Sequence, residues 1–443
     1  MRKNTLNRKH RQIILVAVLC VFYLLGGRAD SVRAQNAGSG TSGGTVELNA
    51  KIETFQEIWK IINEKYYDAR FNGVDWKSIG ERYRQQIEKT SGEKDFYALL
   101  DQMVGELHDS HTRVFSPFAR AQRANRRKTE TGIVIRNIEN QPTIVSVEAG
   151  SSAAQTGIEP GMIVRRIDDQ PVEDVIAAAR QTIGASSSER ATEMRVFSKI
   201  LSGEPESALT LELLRPDKSV FRAIVRRRVN VSAAAPVEAR MLKSGYAYLK
   251  IRRFDETAIA PVKDALRRFR NAPALILDLR GNPGGDGESG LQIAEFFVER
   301  KITVAHLVTR SGKPPLPEMP MTLQIGGKNK PLYSRPVVIL IDEGTASTAE
   351  LIANALQEHK RARVVGRQSC GCVLGFLDYK KLKNGGELSL SEFGFITANG
   401  RKLEGNGVTP DVTAEIKLND LRRNYDAALA AAENLLTQIR RKK

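Results

Sequence analysis

The stretch Arg335–His359, RPVVILIDEGTASTAELIANALQEH, joins an apolar run to a segment with helical spacing through a turn at Glu343-Gly344-Thr345. An earlier stretch, Ala274–Glu299, ALILDLRGNPGGDGESGLQIAEFFVE, repeats this plan of buried strand, glycine-rich turn and amphipathic helix. Alternating strands and helices of this kind predict helices packed on a largely parallel sheet. We therefore expect an α/β fold for residues 237–416.

Ser347 falls within the first turn of the helix predicted in the first of these stretches. The unpaired N–H groups and the dipole of a first turn stabilise an anion. A serine nucleophile there would therefore have oxyanion donors nearby. Thr345 or Ser347 would equally suit a simple helix cap, which is a common role for serine and threonine at such positions. The local pattern leaves both roles open.

The Asn-Pro-Gly-Gly turn of the second stretch is the other candidate for chemistry. Gly284 and Gly285 let a substrate backbone approach closely, and an exposed amide there could serve an oxyanion hole. A plain strand-to-helix turn and a phosphate cradle are the alternatives. The turn is not a P-loop, because no Gly-Lys-Ser/Thr follows it.

The rest of the chain divides by pattern. A basic start, the apolar run Ile13–Leu25 and small residues before Gln35 are typical of a secretory signal peptide, with an uncleaved membrane anchor as the alternative. Flanking regions are predicted from composition and spacing. They are a signal peptide at 1–34, a Gly/Ser linker at 35–45, a helical region at 46–125, a β-rich domain at 129–230, the α/β core at 237–416 and a C-terminal helix at 417–443.

Composition limits the function classes. The 443 residues carry a formal net charge of +17, but the basic residues are scattered and lack the aromatic interleaving of a nucleic-acid site. Beyond the predicted signal peptide, Cys370 and Cys372 are the cysteines that remain of three. They are too few for a disulfide scaffold and lack zinc spacing, and they could form a local disulfide or stay free. No metal and no cofactor are expected.

Residues 129–230 resemble a PDZ domain of the kind attached to bacterial proteases. The resemblance rests on the loop Thr131, Gly132, Ile133 and Val134 and on GSSAAQTGIEPGMIVRRIDDQPV, Gly150–Val172. A PDZ groove adds a peptide as a strand and receives its terminal carboxylate on backbone amides. The resemblance therefore implies a polypeptide partner, bound by its C-terminus.

Taken together, the motifs resemble those of C-terminal processing (tail-specific) serine peptidases. The matching segments, in order, are FQEIWKIINEKYYDARFNGVDWKSI, LHDSHTRVFSP, the PDZ-like segment, DLRGNPGG, DEGTASTAELIANAL, RARVVG and GRKLEGNGVTPDV. The resemblance implies a crotonase-like (ClpP/crotonase) α/β core with Ser347 as nucleophile. It also implies an oxyanion hole from Gly284 or Gly285 with the amide of Thr348.

The chain departs from this pattern at the general base. Relatives with a Ser-Lys dyad carry a lysine where this chain has Cys372, in VVGRQSCGCV. The tricorn-like branch of the family uses a Ser-His-Ser-Glu tetrad instead. By that resemblance Ser110 and His111 of DSHT and Glu404 of LEGNGVTPD complete the tetrad, with His111 as the base.

Other basic side chains are weaker candidates for the base. His108 lies three residues from His111, while His306 and His359 fall in no matching motif. Lys380 and Lys381 follow the Cys-Gly-Cys segment, which we read as a strand. They lie about 26 Å along such a strand from the expected lysine position, too far for a simple substitution.

The sequence predicts an exported serine endopeptidase, located in the bacterial periplasm or outside the cell. It would hydrolyse unfolded polypeptides or those with apolar C-termini through an acyl-enzyme. It would meet a membrane only through an uncleaved signal. An inactive, PDZ-containing peptide-binding protein is the main alternative, because the lysine is missing. A crotonase-type acyl-CoA enzyme fits the core pattern, but fits neither the export signal nor the PDZ-like segment.

Overall fold

The computed structural model describes residues 42–124, 128–230, 235–327 and 331–441. The predicted signal peptide lies outside these ranges. The first helix begins at Ser42, so the end of the predicted Gly/Ser linker is helical, which corrects that boundary. None of the helices in the described ranges is both long and apolar enough to cross a bilayer.

Helices dominate the N-terminal region, as its spacing predicts. Phe55, Ile58, Ile62 and Tyr66 recur at three and four residues, and all four are buried. They pack with apolar residues of the next two helices. The elements are α1 (Ser42–Lys65), a 3₁₀ turn (Phe71–Gly73), α2 (Trp76–Ile87), α3 (Glu93–Gly105), β1 (Arg113–Phe115) and α4 (Pro117–Ala124).

A β-rich region follows, with its own apolar core formed by the strands and two helices. Its elements are β2 (Lys128–Glu130), β3 (Ile133–Ile138), β4 (Gln141–Val147), a 3₁₀ turn (Ala154–Thr156), β5 (Ile163–Ile167), β6 (Gln170–Pro171), α5 (Val172–Thr182), α6 (Glu189–Leu201), β7 (Ala208–Leu214), β8 (Val220–Arg226) and β9 (Arg228–Asn230). The main sheet has the order β3-β4-β5-β7-β8, and β2 pairs with β9, which brings the two ends of the region together. Its assignment as a PDZ domain stays a prediction.

The remaining elements form the α/β region and the C-terminus. They are β10 (Val237–Met241), β11 (Ala247–Ile251), α7 (Glu256–Arg268), β12 (Leu275–Asp278), α8 (Gly287–Glu295), β13 (Ile302–Val308), β14 (Thr322–Ile325), β15 (Val337–Ile341), α9 (Thr348–Glu358), β16 (Ala362–Gly366), β17 (Leu374–Gly375), β18 (Lys380–Lys381), β19 (Glu387–Ser389), β20 (Phe393–Thr397), β21 (Val412–Thr413), α10 (Leu418–Arg422) and α11 (Ala427–Arg441).

The principal sheet of this region confirms the predicted parallel arrangement. Its order is β10-β11-β12-β15-β16-β21, and every pair but β10–β11 is parallel. All residues of β12 and β15 are buried, as expected where helices cover both faces of a sheet. Because β12 and β15 are parallel neighbours, the turns after them leave the sheet at one edge. These are the two glycine-rich turns of the sequence.

The N-terminal region is joined to the α/β region through a small second sheet. β1 pairs with β19, which pairs with β18. Leu374, Leu382, Leu388 and Leu390 complete the apolar cluster of α1, α2 and α3. The segment just before β1, which contains His111, is thereby held against the α/β region.

The C-terminus differs from the single helix predicted for residues 417–443. It forms two helices, α10 and α11, separated by a turn in which Asn424 has a φ of 51°. Asparagine tolerates this left-handed conformation better than most residues, and a helix does not continue through it. In α11, Ala428, Ala432 and Leu436 pack on the sheet.

Candidate active site

Ser347 immediately precedes α9. The sequence pattern places it within the first turn of that helix, so the observed position is one residue earlier. Its backbone has φ 54° and ψ −124°. A serine that merely caps a helix has an extended backbone, whereas this conformation is strained for a residue with a Cβ. A strained strand-to-helix turn is the arrangement that exposes the serine nucleophile of α/β-hydrolases. The geometry therefore favours the nucleophile over the cap.

The Asn-Pro-Gly-Gly turn lies against Ser347. A Cβ on Gly284 would fall 2.8 Å from Ser347 Cβ and 2.9 Å from Thr348 N, so only glycine fits there. The Gly284 N–H donates to Asn282 Oδ1 at 2.8 Å. The Gly284 N–H is therefore already hydrogen-bonded and is not a candidate oxyanion donor. Gly284 instead lets its turn lie close to Ser347.

Gly285 and Thr348 supply the amides that are left for an oxyanion. The C=O of Gly284 accepts from the Phe254 N–H at 2.9 Å. Since the C=O and N–H of a trans peptide point in opposite directions, the Gly285 N–H points away from Phe254. The Thr348 N–H begins α9 and has no carbonyl within its own helix to bind. Of the two glycines predicted, the structure favours Gly285.

The three residues predicted to form the base half are brought together. Ser110 Oγ lies 2.6 Å from His111 Nδ1 and donates to Glu404 Oε2 at 3.0 Å, and the Ser110 N–H donates to Glu404 Oε1 at 2.8 Å. A hydroxyl has one proton, so Ser110 accepts from His111 Nδ1–H when it donates to Glu404. This tautomer leaves His111 Nε2 as the nitrogen able to accept a proton.

Asp109, which the sequence reasoning missed, fixes the backbone that carries His111. It is fully buried and accepts from the N–H groups of His111 at 2.7 Å and Thr112 at 2.6 Å. Ser389 Oγ donates to the His111 carbonyl at 2.6 Å from the neighbouring strand. An aspartate side chain that accepts hydrogen bonds from the N–H groups two and three residues later forms a common turn. The Asp-Ser-His-Thr order is the signal that could have revealed it.

Burial controls the charges of the base half. It lowers the pKa of His111 to about 4, with Asp109 opposing and Arg113 adding to the effect. Burial also raises the pKa of Glu404 to about 8, assisted by the charge of Asp109 and opposed by the hydrogen bonds from Val373 and Ser110. His111 is therefore neutral near pH 7, as a general base must be.

One peptide unit connects two parts of the candidate site. These are the nucleophile half, made of Ser347 and the two glycine-rich turns, and the base half, made of Ser110, His111 and Glu404. The C=O of Cys372 accepts from the Ser347 N–H at 2.9 Å, and the N–H of Val373 donates to Glu404 Oε2 at 2.5 Å. These two groups belong to the same peptide bond. Any displacement of the Cys372–Val373 peptide therefore moves partners of Ser347 and of Glu404 together.

Glu350 is a second residue that the sequence reasoning missed. It is fully buried in α9 and accepts from Ser347 N, Ser369 Oγ, Gly371 N and Cys372 N at 2.5–3.1 Å. Burial raises its pKa to about 7, although these hydrogen bonds oppose the shift. Ser347 and Glu350 have the Ser-x-x-Glu spacing of a capping box, which is the signal in the sequence.

The Cys-Gly-Cys segment is a loop and not the strand we predicted, because β17 begins only at Leu374. A disulfide joins Cys370 and Cys372, which resolves the choice left open between a disulfide and a free pair. Lys380 lies on β18 and pairs with Glu392 at 3.0 Å. The position of the expected lysine thus holds a disulfide-bonded cysteine. The nearest lysine along the chain, Lys380, forms an ion pair with Glu392.

None of the other histidines in the described ranges is hydrogen-bonded to Ser347, Ser110, His111 or Glu404. His108 is exposed, His306 lies on β13 beside Thr322, and His359 ends α9 next to the Thr303 carbonyl. Across the described ranges, no group of three or more His, Cys, Asp or Glu side chains is placed to hold a metal ion. The chemistry that these residues can perform is proton transfer and nucleophilic attack.

The residues predicted to bind peptide lie in the β-rich region, at the start of β3. Thr131 is buried, Gly132 has a φ of 79°, and Ile133 and Val134 begin the strand. Among the described residues β3 pairs with β4 on one side, and it is the end strand of its sheet. Arg136, also on β3, binds Glu343 in the turn before Ser347 at 2.8 Å.

Two cavities adjoin Glu404. One of about 490 Å³ is lined by His108, Asn72, Lys402 and Glu404 among others, and the second, of about 330 Å³, lies between Tyr67, Phe395 and Glu404. Neither is lined by Ser347 or His111. Both cavities therefore adjoin Glu404 and not Ser347.

Comparisons with known proteins indicate the class of protein. Residues 245–414 match the model of Peptidase family S41, and residues 51–105 match that of the Tricorn protease C1 domain. The carboxyl-terminal-processing protease of Synechocystis sp. is 27% identical over 398 residues, 86% of this chain and 86% of that protein. The chloroplastic carboxyl-terminal-processing peptidase 2 of Arabidopsis thaliana is 27% identical over 434 residues, 93% of this chain and 76% of that protein.

Among solved structures, the photosystem II D1 C-terminal processing protease aligns with a TM-score of 0.59 at 20% identity, over 87% of this chain and 97% of that one. At this identity the likeness shows the fold. The matched models and the named relatives define the chain as a serine-type peptidase. Within that class, its residues 245–414 are similar to peptidase family S41 and its residues 51–105 to the Tricorn protease C1 domain.

Proposed function

We propose that this serine-type peptidase is an exported endopeptidase that binds polypeptide C-termini and cleaves through an acyl-enzyme at Ser347. The relatives named above are carboxyl-terminal-processing proteases, which supports this choice of substrate end. The observation that carries the proposal is the hydrogen-bonded chain from Glu404 through Ser110 to His111.

In the proposed mechanism His111 Nε2 accepts the proton of Ser347 as its oxygen attacks the scissile carbonyl. The Gly285 and Thr348 N–H groups stabilise the tetrahedral oxyanion. The imidazolium that forms is held through Ser110 by the charge of Glu404, as the third member of a triad does. His111 then donates its proton to the leaving amine, and a water completes the hydrolysis by the reverse steps.

The tricorn-like tetrad is preferred to a Ser-Lys dyad for two reasons. The dyad position is Cys372, whose sulfur is in a disulfide and cannot accept a proton. Lys380 is paired with Glu392. Its strand, β18, lies in the small sheet with β19 and not in the principal sheet that leads to Ser347. The alternative of an inactive peptide-binding protein finds no support, because a base half with ordered hydrogen bonds is present without the lysine.

The β-rich region is proposed to be the PDZ domain that receives the substrate. A C-terminal peptide would add as a strand beside β3, with its carboxylate on the amides of the loop at residues 131–134. The position of β3 at the end of its sheet supports this mode. The ring of Phe376 lies 6.2 Å from the His111 ring and 5.1 Å from the Tyr379 ring, and it suits an apolar substrate side chain near the scissile bond.

Export to the periplasm or the cell exterior is the proposed location. The signal-like pattern of residues 1–34 supports it, and so does the Cys370–Cys372 disulfide, since disulfides persist in oxidising compartments. Any contact with a membrane would be made by that signal if it is not cleaved. No nucleic-acid partner is proposed.

A fluorophosphonate probe tests the proposal, because it reacts with serines activated for attack. Wild type should be labelled at one site and should cleave unfolded protein, while Ser347→Ala and His111→Ala should do neither. His306→Ala is the matched control and should behave as wild type, because that histidine is exposed and remote. Labelling and cleavage that survive in His111→Ala would show that the base is another residue.

A further inference from the structure

The Cys370–Cys372 disulfide closes a very small loop at the centre of the candidate site. The sequence separation is two residues, and both cysteines are buried, with 3% and 8% of their surfaces exposed. A cross-link constrains the unfolded chain less as the closed loop becomes shorter. This disulfide is therefore poorly placed to stabilise the fold as a whole, and its effect should be local.

The loop it closes binds both halves of the site. The N–H groups of Gly371 and Cys372 donate to Glu350, which also holds the Ser347 N–H. The Cys372–Val373 peptide bonds to Ser347 on one side and to Glu404 on the other. The shape of the Cys-Gly-Cys loop consequently sets the position of the nucleophile relative to the base half.

The loop is also enclosed by the β-rich region. Ser188 Oγ, at the start of α6, donates to the Cys370 carbonyl at 2.7 Å, and Ser187 Oγ donates to the Gly371 carbonyl at 2.6 Å. Ala191 and Met194 of α6 pack against the two cysteines together with Ala346. Because these neighbours surround the sulfurs, there is little free space beside them.

From these contacts we infer that Cys370 and Cys372 form a thiol–disulfide site that controls the peptidase, active as the disulfide and weakened as the dithiol. The inference rests on the proposed function of Ser347. Two thiols that are not bonded stand farther apart than the sulfurs of a disulfide, whose bond is about 2.05 Å long. In a closely packed place the loop itself must move to make room. Its movement withdraws partners from Glu350, Ser347 and Glu404 together.

The reductant is a dithiol. Its thiolate attacks one sulfur of the pair, the S–S bond breaks, and its electron pair stays on the other cysteine, which takes a proton. The second thiol of the reductant then displaces the first cysteine from the mixed disulfide. The protein has gained two electrons and two protons, and the reductant has become a cyclic disulfide. An oxidised thiol compound reverses the sequence.

The test compares one protein in two redox states. The full chain carries Cys20→Ser, so that Cys370 and Cys372 are the cysteines that react, and alkylation followed by mass measurement counts free thiols. The fluorophosphonate labelling rate is measured before reduction with dithiothreitol, after it, and after reoxidation with oxidised glutathione. We expect no free thiol before reduction, two after it, and a labelling rate that falls about 10- to 100-fold and then recovers, the size expected from a small misplacement of catalytic groups.

A variant and a folding measurement complete the design. The double variant Cys370→Ser, Cys372→Ser should label slowly, like the reduced form. Its labelling rate should not change when dithiothreitol is added. The thermal transition should stay cooperative in all forms. Free thiols before reduction, equal rates in both states, or wild-type labelling by the double serine variant would each overturn the inference. So would loss of the cooperative transition on reduction, because the disulfide would then hold the fold. An oxidised form that does not label would instead count against the proposed function.

Discussion

The two halves of the candidate site differ in how far apart their residues lie along the chain. The nucleophile half uses the turns after β12 and β15, and residues 282–350 provide Ser347, its strained turn and the two amides proposed to bind the oxyanion. In the base half, Ser110 binds Glu404 across 294 positions of sequence. A short motif can encode the first, whereas the second exists only when the N-terminal region has docked through β1 and β19.

This difference means that the halves should respond differently to substitution. The nucleophile half depends on local backbone geometry, so changes there should damage both chemistry and stability. The base half depends on a hydrogen-bonded chain, so changes there should appear most clearly in the pH dependence. The predictions below separate the two, in order of decreasing effect.

Loss of either end of the proton transfer should have the largest effect. Ser347→Ala and His111→Ala should each lower kcat on the order of 10⁶-fold, and the double variant should be no worse, as expected of residues that act as one unit. Single-turnover cleavage of a C-terminal peptide measures this. A double variant much slower than either single one would show that the two halves act independently.

Glu350→Gln tests the nucleophile half. The amide replaces one acceptor oxygen with a donor that faces N–H groups, so buried donors are left unsatisfied. We expect the free energy of unfolding to fall by about 2–4 kcal/mol and the labelling rate to fall about 10²-fold. Chemical denaturation and fluorophosphonate kinetics are the measurements.

Glu358→Gln is the matched control for that variant. Glu358 is a buried carboxylate on the same helix but binds Arg401 and Thr397, away from Ser347. It should lose stability and keep its labelling rate under conditions where it is folded. Equal losses of rate in both variants would mean that Glu350 acts only through the stability of α9.

Glu404→Gln tests the base half through pH. The charged carboxylate supports the imidazolium, and its pKa is raised to about 8 while that of His111 is lowered to about 4. The kcat/KM of wild type should therefore rise as pH increases through about 8. Glu404→Gln should be about 10²-fold slower at high pH. Its profile should be flat between pH 5 and pH 9, because the titrating carboxyl is gone. An unchanged profile in the variant would exclude Glu404 from the tetrad.

Lys380→Ala should have the smallest effect. Because Lys380 is paired with Glu392 rather than with Ser347, its removal should change the labelling rate less than about twofold. Lys381→Ala, exposed on the same short strand, is the control. A large loss in Lys380→Ala alone would restore a displaced Ser-Lys dyad.

Much of the fold and part of the site could be predicted because the signals were local. The parallel sheet followed from two strand–turn–helix segments, and the same segments indicated Ser347 and the glycine turn. The break before α11 had no such signal, since Asn424 rather than a glycine or proline marks it. The Cys-Gly-Cys segment was wrongly read as a strand, because its N–H and C=O groups bind Glu350 and the start of α6 instead of a neighbouring strand.

The proposed tetrad could be assembled only by resemblance. Nothing near Ser110 indicates Glu404, and the hydrogen bonds between them require the docked N-terminal region. Asp109 and Glu350 carried recognisable turn and capping signals, but their importance comes from burial beside His111 and Ser347. Burial of a single carboxylate is a tertiary property that spacing does not reveal.

The bond between Ser110 and Glu404 also has a consequence for biosynthesis. Ribosomes add residues from the N-terminus, so His111 and even Ser347 are made long before Glu404. A growing chain cannot complete the proposed proton relay until Glu404 has been added and is available for folding. The proposed relay therefore leaves the peptidase inactive while the residues that precede Glu404 are being made.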